Sequence, residues 1–337
     1  MIKEAISLLV SGRSLTMDEA ASVMGEIMAG EATPAQIGAF VTALRLKGET
    51  VDEIIGLARA MRAKAVPVVV AGPLVDTCGT GGDNARTINI STAAAFVVAG
   101  AGLKVAKHGN RAMSSSCGSA DVLEALGVRI DLDAAQVKAC LEEVGIGFMF
   151  APLFHPAMKY AAAPRREIGI RTVFNILGPL TNPAGVRAQV VGVPDEALVE
   201  KLALVLKGLG CRHALLVHGE DGLDEITVTA KTRVGELRDG HIKSYSIGPE
   251  DFGLPRAELA DLAGGTAGEN AEFLRTILAG VLGPRRDAVL LNAAAALLAG
   301  DRVATLRQGV DLAKEAIDSG QAQAKLEQLI GFSRSLS

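Results

Sequence analysis

The chain has 337 residues, 49% of them hydrophobic, a length that favours two domains over one. Its 34 Lys and Arg stand against 38 Asp and Glu, and the formal net charge of −4 gives no bulk attraction to nucleic acid or to an anionic membrane surface. With no Trp and two Tyr, the chain is also poor in rings for stacking nucleic-acid bases. Any anionic ligand must therefore be held by a local arrangement of groups.

The cysteines and the start of the chain indicate a compartment. Cys78, Cys117, Cys140 and Cys211 show no metal-ligand spacing, and Cys78 and Cys117 are expected to be small buried fillers rather than nucleophiles. No signal-like sequence is recognised at the charged start 1–4, and no apolar run is long enough to predict a transmembrane helix. We therefore expect a globular protein of the reducing cytoplasm.

Residues 1–66 carry the signals of a small all-helical domain. Capping boxes of the type T-x-x-E begin at Thr16 and Thr50, and Thr33 stands before Pro34, a favoured first helical residue. Apolar residues recur at helical spacing after each of these starts. No chemistry-bearing motif lies here, so we expect one face of this domain to pack on a neighbour or on a second copy of the chain.

Residues 67–337 are predicted to form a larger α/β domain. Short apolar runs predict strands near 66–70, 74–76, 103–106, 148–150, 188–193 and 214–218. Helices are predicted near 91–100, 119–126, 134–144, 155–168, 195–209, 269–280, 285–299, 302–319 and 321–332. The alternation indicates a mostly parallel central sheet covered by helices, with a hairpin over 226–247. The helices near 155–183 are expected to pack on, or hinge to, the helical domain.

Two glycine-centred polar segments follow predicted strands. The first, 76–83, reads D-T-C-G-T-G-G-D and leads towards a helix, so its backbone N–H groups and the helix N-terminus suit a polyanion. The second, 107–115, adds the cations Lys107 and Arg111. Carboxyl ends of parallel strands meet at one edge of a sheet, which predicts a single cleft. Alone, the glycine loop fits a structural turn as well as a ligand loop, and it lacks the dinucleotide and P-loop spacings.

Two further elements add chemistry to this cleft. Asp224 and Glu225 follow the strand predicted at 214–218, and we favour Mg²⁺ binding there over a merely solvated loop, since Mg²⁺ takes a few carboxylates together with phosphate oxygens. In the pair Arg165-Arg166 one guanidinium is expected to be solvated and the other is suited to clamping a carboxylate. The sequence thus predicts a site for two ligands, one of them a phosphate.

These segments together resemble the anthranilate phosphoribosyltransferases, enzymes of tryptophan biosynthesis. The motifs appear in family order and are D-T-C-G-T-G-G-D at 76–83, N-I-S-T at 89–92, K-H-G-N-R-A-M-S-S at 107–115, G-S-A-D-V-L-E-A-L-G at 118–127, H-P-A-M-K at 155–159, R-R-E at 165–167, R-T-V-F-N-I-L-G-P-L-T-N-P at 171–183 and G-L-D-E at 222–225. The final third of the chain carries no motif that matches.

The resemblance implies a glycosyltransferase (pentosyltransferase) activity. Such enzymes transfer the 5-phosphoribosyl group of phosphoribosyl pyrophosphate (PRPP) to the amino group of anthranilate and release pyrophosphate. The resemblance further implies a nucleoside phosphorylase/phosphoribosyltransferase-like fold, a homodimer through the helical domain, and two Mg²⁺ ions per subunit. No covalent nucleophile of the enzyme is implied.

The resemblance also assigns roles to residues, motif by motif. The residues implied to bind the donor are Gly79, Gly82, Asp83, Thr87, Asn89, Ile90, Ser91, Thr92, Lys107, His108, Gly109, Asn110, Arg111, Ala112, Met113, Ser114, Ser115 and Ser119. The residues implied to contact anthranilate are Gly79, Asn110 and Arg165, with Arg165 facing its carboxylate, and the metal ligands are Ser91, Asp224 and Glu225. The chain departs from the pattern at Ser116, where many members carry Lys or Arg.

Two alternative functions stay open at this point. A pyrimidine nucleoside phosphorylase shares the architecture but is expected to show a different phosphate signature, so the intact 107–115 motif argues against it. A relative that binds nucleic acid through a basic cleft is opposed by the net charge, the scarcity of aromatic residues and the Asp224-Glu225 pair.

Overall fold

A computed structural model describes residues 1–83, 85–112 and 117–336. Its N-terminal part is a set of four helices, α1 (Ile2–Val10), α2 (Met17–Ala29), α3 (Pro34–Lys47) and α4 (Val51–Lys64). The predicted caps are confirmed, because the hydroxyls of Thr16, Thr33 and Thr50 each accept from the backbone N–H three residues on. The Glu or Gln at that third position accepts in return from the cap N–H, so two backbone donors are satisfied at each helix start.

A seven-stranded sheet forms the centre of the rest of the chain. Its strands are β1 (Val75–Gly79), β2 (Val105–Gly109), β3 (Ile146–Phe150), β4 (Ala188–Gly192), β5 (His213–Gly219), β6 (Thr232–Arg238) and β7 (His241–Ile247). They lie in the order β3-β2-β1-β4-β5-β6-β7. Strands β1 to β5 are parallel, whereas β6 and β7 pair antiparallel as the predicted hairpin. The mostly parallel sheet is therefore confirmed.

Helices pack over this sheet, and helices also form the part of the described chain that comes after the last strand. They are α5 (Ile90–Gly100), α6 (Ser119–Leu126), α7 (Ala134–Glu143), α8 (Ala151–Phe154), α9 (Lys159–Ile168), α10 (Phe174–Leu177), α11 (Ala197–Gly208), α12 (Ala267–Leu278), α13 (Pro284–Ala299), α14 (Leu306–Asp318) and α15 (Gln321–Ser335). Helices α5 and α13 are buried on nearly every side, which their runs of Ala, Val and Leu permit. In the described chain, no helix combines the length and apolarity needed to cross a membrane.

One predicted strand is wrong. Residues 66–70 form no strand and connect α4 to β1. The N–H of Val66 donates to the carbonyl of Phe154 and that of Val68 to the carbonyl of Pro183, two separate segments, and Pro67 has no N–H to give. Because no described strand pairs with residues 66–70 along their length, this β-branched segment forms a connector.

The two faces of the sheet pack into different cores. On β4, Val190 packs into the core built around α5 and α13, whereas the adjacent Val191 packs with the N-terminal helices and α11. Successive residues of a strand point to opposite faces, which accounts for this division. The segment containing α9 and α10 lies in the second core, and Arg62 of α4 donates to the carbonyl of Leu180 at 2.6 Å.

Candidate active site

The carboxyl ends of β1 and β2, the start of α5 and the loop after β5 surround a cleft of about 340 Å³. Every described residue that the sequence assigned to donor, acceptor or metal lines it: Gly79, Gly82, Asp83, Thr87, Asn89, Ile90, Ser91, Thr92, Lys107, His108, Gly109, Asn110, Arg111, Ala112, Ser119, Arg165, Asp224 and Glu225. Met113, Ser114, Ser115 and Ser116 lie outside the described residues. The structure therefore brings the described site residues together in one cleft, and the role of each residue stays a prediction.

Asp224 lies directly over the ends of two central strands. Gly79 of β1 and Gly192 of β4 are paired in register, and a Cβ at either glycine would overlap Asp224. The N–H of Gly81 donates to the Asp224 carboxylate at 2.7 Å, which ties the glycine loop to the acidic loop. Glycine is therefore required at these two strand ends by the approach of Asp224, a reason that sequence reasoning did not supply for Gly192.

Gly192→Ala is expected to lower turnover at least about a hundredfold by displacing Asp224 from the strand ends. Steady-state kinetics across a Mg²⁺ titration measures this. The matched control is Gly331→Ala in α15, where an added Cβ meets nothing within 4 Å and activity should stay unchanged. Wild-type kinetics in Gly192→Ala would show that the position of Asp224 is not needed.

Glu225 reaches the start of α5. The N–H of Ser91, in the first turn of that helix, donates to the Glu225 carboxylate at 3.1 Å, so this helix end is capped by a distant acidic side chain. Lys107 is buried beside them, and its ammonium donates to the carbonyl of Thr77 at 2.5 Å and to the Ser91 hydroxyl at 3.4 Å. The N-terminus of α5 thus lies beside the Glu225 carboxylate, the Ser91 hydroxyl and the Lys107 ammonium.

Burial makes negative charge on Asp224 and Glu225 unfavourable, and a bound cation would offset that charge. Burial raises the pKa of Glu225 to about 8, against the favourable charge of Lys107. Burial also raises the pKa of Asp224 well above its ordinary value, and the charges of Asp83 and Glu225 add to that shift. Within 1–83, 85–112 and 117–336 no three His, Cys, Asp or Glu side chains form a metal group on their own. Two close carboxylates fit Mg²⁺, which keeps waters and takes substrate phosphate oxygens.

The arginines that line the cleft differ in whether they form ion pairs with other side chains. Arg111 forms ion pairs with Asp121 at 3.0 Å and Glu124 at 2.8 Å, so in this structure its charge is engaged by α6. Arg86 and Arg171, to which sequence reasoning gave no role, also line the cleft and form no ion pair with any described residue. A Cβ at Gly82 would overlap the Arg171 guanidinium, so that glycine leaves room for a cation.

Arg165, on α9, also lines the cleft. Its guanidinium is 5.1 Å from the centre of the Phe174 ring, and among the described residues it has no acidic partner. Burial lowers its pKa, which shows that the charge is partly removed from water. A partly buried guanidinium without an anion is a ready site for a ligand carboxylate.

His108 lines the cleft, and the buried His155 packs against its ring. The rings of His108 and His155 are 5.1 Å apart, and burial together with the neighbouring His155 lowers the pKa of His108 to about 3. Both are therefore neutral near pH 7. His213 and His218 are structural, since they contact Glu236 at 3.1 Å and the Val193 carbonyl at 2.9 Å.

The thiol of Cys78 lies next to these groups without serving as a nucleophile. Burial raises its pKa well above the ordinary value, and the charge of Asp76 adds to that effect. Burial raises the pKa of Cys117 as well. Both thiols are therefore protonated near pH 7 and are not nucleophiles in this state. Cys117 is buried, as expected for a small filler, whereas Cys78 is only half-buried and lines the cleft.

A residue of the final third of the chain also reaches the site. Asn270 of α12 is buried, accepts from the N–H of Gly265 at 2.8 Å and donates to the side-chain oxygen of Asn89 at 3.0 Å. Asn89 in turn donates to the carbonyl of Cys117 at 3.1 Å. Sequence reasoning missed Asn270 because no motif pointed to it.

Comparison with known proteins agrees with this site. Residues 3–65 match the helical bundle domain of a glycosyl transferase family, and residues 71–323 match its a/b domain. The anthranilate phosphoribosyltransferase of Moorella thermoacetica is 61% identical over 333 residues, which are 98% of this chain and 98% of that protein. The chain belongs to the anthranilate phosphoribosyltransferases. Its recognition from the motifs is thus confirmed.

Solved structures of anthranilate phosphoribosyltransferases show the same fold. That from Thermus thermophilus has a TM-score of 0.93 at 46% identity and covers 98% of this chain and 99% of its own. That from Saccharomyces cerevisiae, in complex with PRPP and Mg, has a TM-score of 0.91 at 28% identity and covers 99% of this chain and 98% of its own. The yeast enzyme has also been solved with 4-fluoroanthranilate.

Proposed function

We propose that the cleft transfers the 5-phosphoribosyl group from PRPP to the amino group of anthranilate, giving N-(5-phosphoribosyl)anthranilate and pyrophosphate in the second step from chorismate to tryptophan. The observation that carries this proposal is that one cleft is lined by two kinds of charged group. Asp224 and Glu225 are buried carboxylates with raised pKa values, and Arg165 has no acidic partner among the described residues. The carboxylates suit a metal-bound pyrophosphate, and the guanidinium suits a ligand carboxylate.

The donor's pyrophosphate is placed against the glycine loop and the start of α5. We propose that the N–H groups of Gly82 and Asp83, which have no hydrogen-bond partner among the described residues, donate to it, since that of Gly81 is taken by Asp224 and that of Ser91 by Glu225. Lys107 and the Ser91 hydroxyl line the same cleft. Ser91, Asp224 and Glu225 are proposed to hold two Mg²⁺ ions per subunit. Magnesium, when bound, neutralises charge that builds up on the leaving pyrophosphate.

The acceptor is placed beside Arg165, with its carboxylate towards the guanidinium and its amine towards the sugar. Gly79 and Asn110 are the other proposed contacts, and the neutral His108 gives the wall an uncharged surface. The neutral aromatic amine is already a nucleophile. The enzyme's residues therefore have to orient it and exclude water that would hydrolyse the donor.

The chemistry needs no nucleophile from the protein. The amine nitrogen forms a bond to the ribose C1 as the bond from C1 to the pyrophosphate oxygen breaks, and the nitrogen then releases a proton. Positive charge develops on the sugar and negative charge on the leaving group. Fixed donors aimed at the pyrophosphate lower this barrier most because they stabilise the charge that grows during the reaction.

We further propose that the protein is a cytoplasmic homodimer that associates through its helical domain. This domain exposes the apolar side chains of Val10 and Leu46, which are 74% and 83% exposed, and such a dimer would cover apolar surface of this kind. Sedimentation of the purified chain measures the oligomeric state. The nucleic-acid alternative predicts DNA binding that falls steeply with added salt.

Calorimetry of pyrophosphate binding tests the donor site directly. We expect Mg²⁺ to strengthen pyrophosphate binding at least about tenfold, since Asp224 and Glu225 would hold the ions and the ions would offset the negative charge of the pyrophosphate. The assay for N-(5-phosphoribosyl)anthranilate should then show activity that requires Mg²⁺. Equal pyrophosphate affinity with and without Mg²⁺ would contradict the metal assignment, and absence of the product would contradict the proposed reaction.

A further inference from the structure

The acidic loop after β5 is held by a side chain from a helix far along the chain. Asn292 belongs to α13 and is 2% exposed. Its side-chain oxygen accepts from the N–H of Ile226 at 3.0 Å, and its amide nitrogen donates to the carbonyl of Ile226 at 2.8 Å. Ile226 follows Glu225 directly. One side chain therefore fixes both backbone groups of the residue next to the acidic pair.

These two side-chain hydrogen bonds take the place of the backbone hydrogen bonds that a helix or strand would give Ile226. Ile226 lies in no helix or strand, and no main-chain group of the described chain pairs with its N–H or its carbonyl. Buried backbone groups need partners, and Asn292 supplies both of them. The same amide nitrogen also donates to the carbonyl of Ala288, one turn back on α13, at 2.9 Å. The amide is thereby fixed to its own helix as well.

The other side of the acidic pair is fixed separately. The Asp221 carboxylate accepts from the N–H of Leu223 at 3.2 Å and from the hydroxyl of Thr227 at 2.6 Å. Asp224 and Glu225 therefore lie between two anchored points, Asp221 and Ile226. Asn292 is the anchor that ties this loop to the centre of the fold, because α13 packs against β1 and β4.

We infer that Asn292 is a positioning residue for the metal-binding pair: it holds Ile226 so that Glu225 faces Ser91 and Asp224 lies over Gly79 and Gly192. This inference rests on the proposed function, in which the pair holds Mg²⁺. Residues that orient metal ligands without touching the ion typically alter metal affinity by about 10–100-fold when replaced. A residue that only stabilises the fold would alter thermal stability and leave metal affinity unchanged.

The test compares Asn292→Leu with Leu297→Ala, a buried position on the same helix whose replacement removes packing alone. Calorimetry measures pyrophosphate binding at increasing Mg²⁺, and kinetics measures the Mg²⁺ concentration for half-maximal rate. In Asn292→Leu both Mg²⁺ requirements should rise about tenfold, while the KM for anthranilate changes less than about threefold. Leu297→Ala should lose thermal stability and keep the wild-type Mg²⁺ requirement.

Asn292→Ser, which leaves a small polar group at the buried position, provides a second variant should the leucine protein fail to fold. Its Mg²⁺ requirement should rise in the same direction. The inference is overturned if the folded Asn292 variant shifts the Mg²⁺ requirement no more than Leu297→Ala does. If wild-type protein itself binds pyrophosphate without help from Mg²⁺, the metal assignment and the inference both fail, and the wild-type measurement alone shows this.

Discussion

Changing Asp224 to Asn and Glu225 to Gln together is expected to lower turnover at least about a thousandfold and to abolish the Mg²⁺ dependence of what remains. The amides would not supply the negative charge by which the proposed site would attract the ions. Pyrophosphate binding measured by calorimetry should lose its Mg²⁺ enhancement in the same variant. An unchanged metal titration would contradict the assignment of this pair as ligands.

The same double change is expected to stabilise the ligand-free protein, and the effect should grow with pH. The pKa of Glu225 is raised from its ordinary 4.5 to about 8, so between these values the folded wild type holds a proton that the unfolded chain releases. Wild-type stability therefore falls as pH rises through this window, whereas the amide variant lacks this loss. Thermal midpoints in chelator at pH 5 and pH 8 measure the difference.

An acidic pair elsewhere provides the control for both effects. Asp195 and Glu196 are also adjacent, also follow a parallel strand and are exposed. Changing them to Asn and Gln should leave turnover, Mg²⁺ dependence and the pH dependence of stability close to wild type, because exposed carboxylates are solvated by water. A wild-type pH profile in the Asp224-Glu225 variant would show that burial does not disfavour charge on the pair.

The elements that the sequence predicted well are those fixed by local interactions. Thr16, Thr33 and Thr50 satisfy backbone donors within their own first turn, so their helix starts are written in four consecutive residues. The strand predicted at 66–70 depended instead on a neighbour that the sequence does not specify. Val68 is buried whereas Val69 is 75% exposed, yet the N–H groups of this segment meet only single carbonyls of two distant segments, those of Phe154 and Pro183.

The members of the site were predictable, but their contacts were not. The motifs at 76–83, 107–115 and 222–225 identify residues that line the cleft because each begins in or just after a parallel strand, whereas Arg165 reaches the cleft from α9. Whether Arg111 is free depends on Asp121 and Glu124, which α6 brings to it. The need for glycine at 192 depends on Asp224, 32 residues later, and Asn292 depends on how α13 packs. Such contacts arise from tertiary packing, and one sequence does not display them.

Arg165→Ala is expected to raise the KM for anthranilate at least about thirtyfold and to change the KM for PRPP less than about threefold. Its guanidinium packs on Phe174, has no acidic partner in the described chain, and has its pKa lowered by burial, so a ligand carboxylate would complete an otherwise uncompensated charge. Steady-state kinetics with each substrate varied in turn measures the split. Arg166→Ala, which removes the exposed neighbouring guanidinium, should behave as wild type. Equal rises in both KM values for Arg165→Ala would remove this residue from the acceptor end and leave Arg171 as the cation to test there, since it also lines the cleft without an ion pair in the described chain.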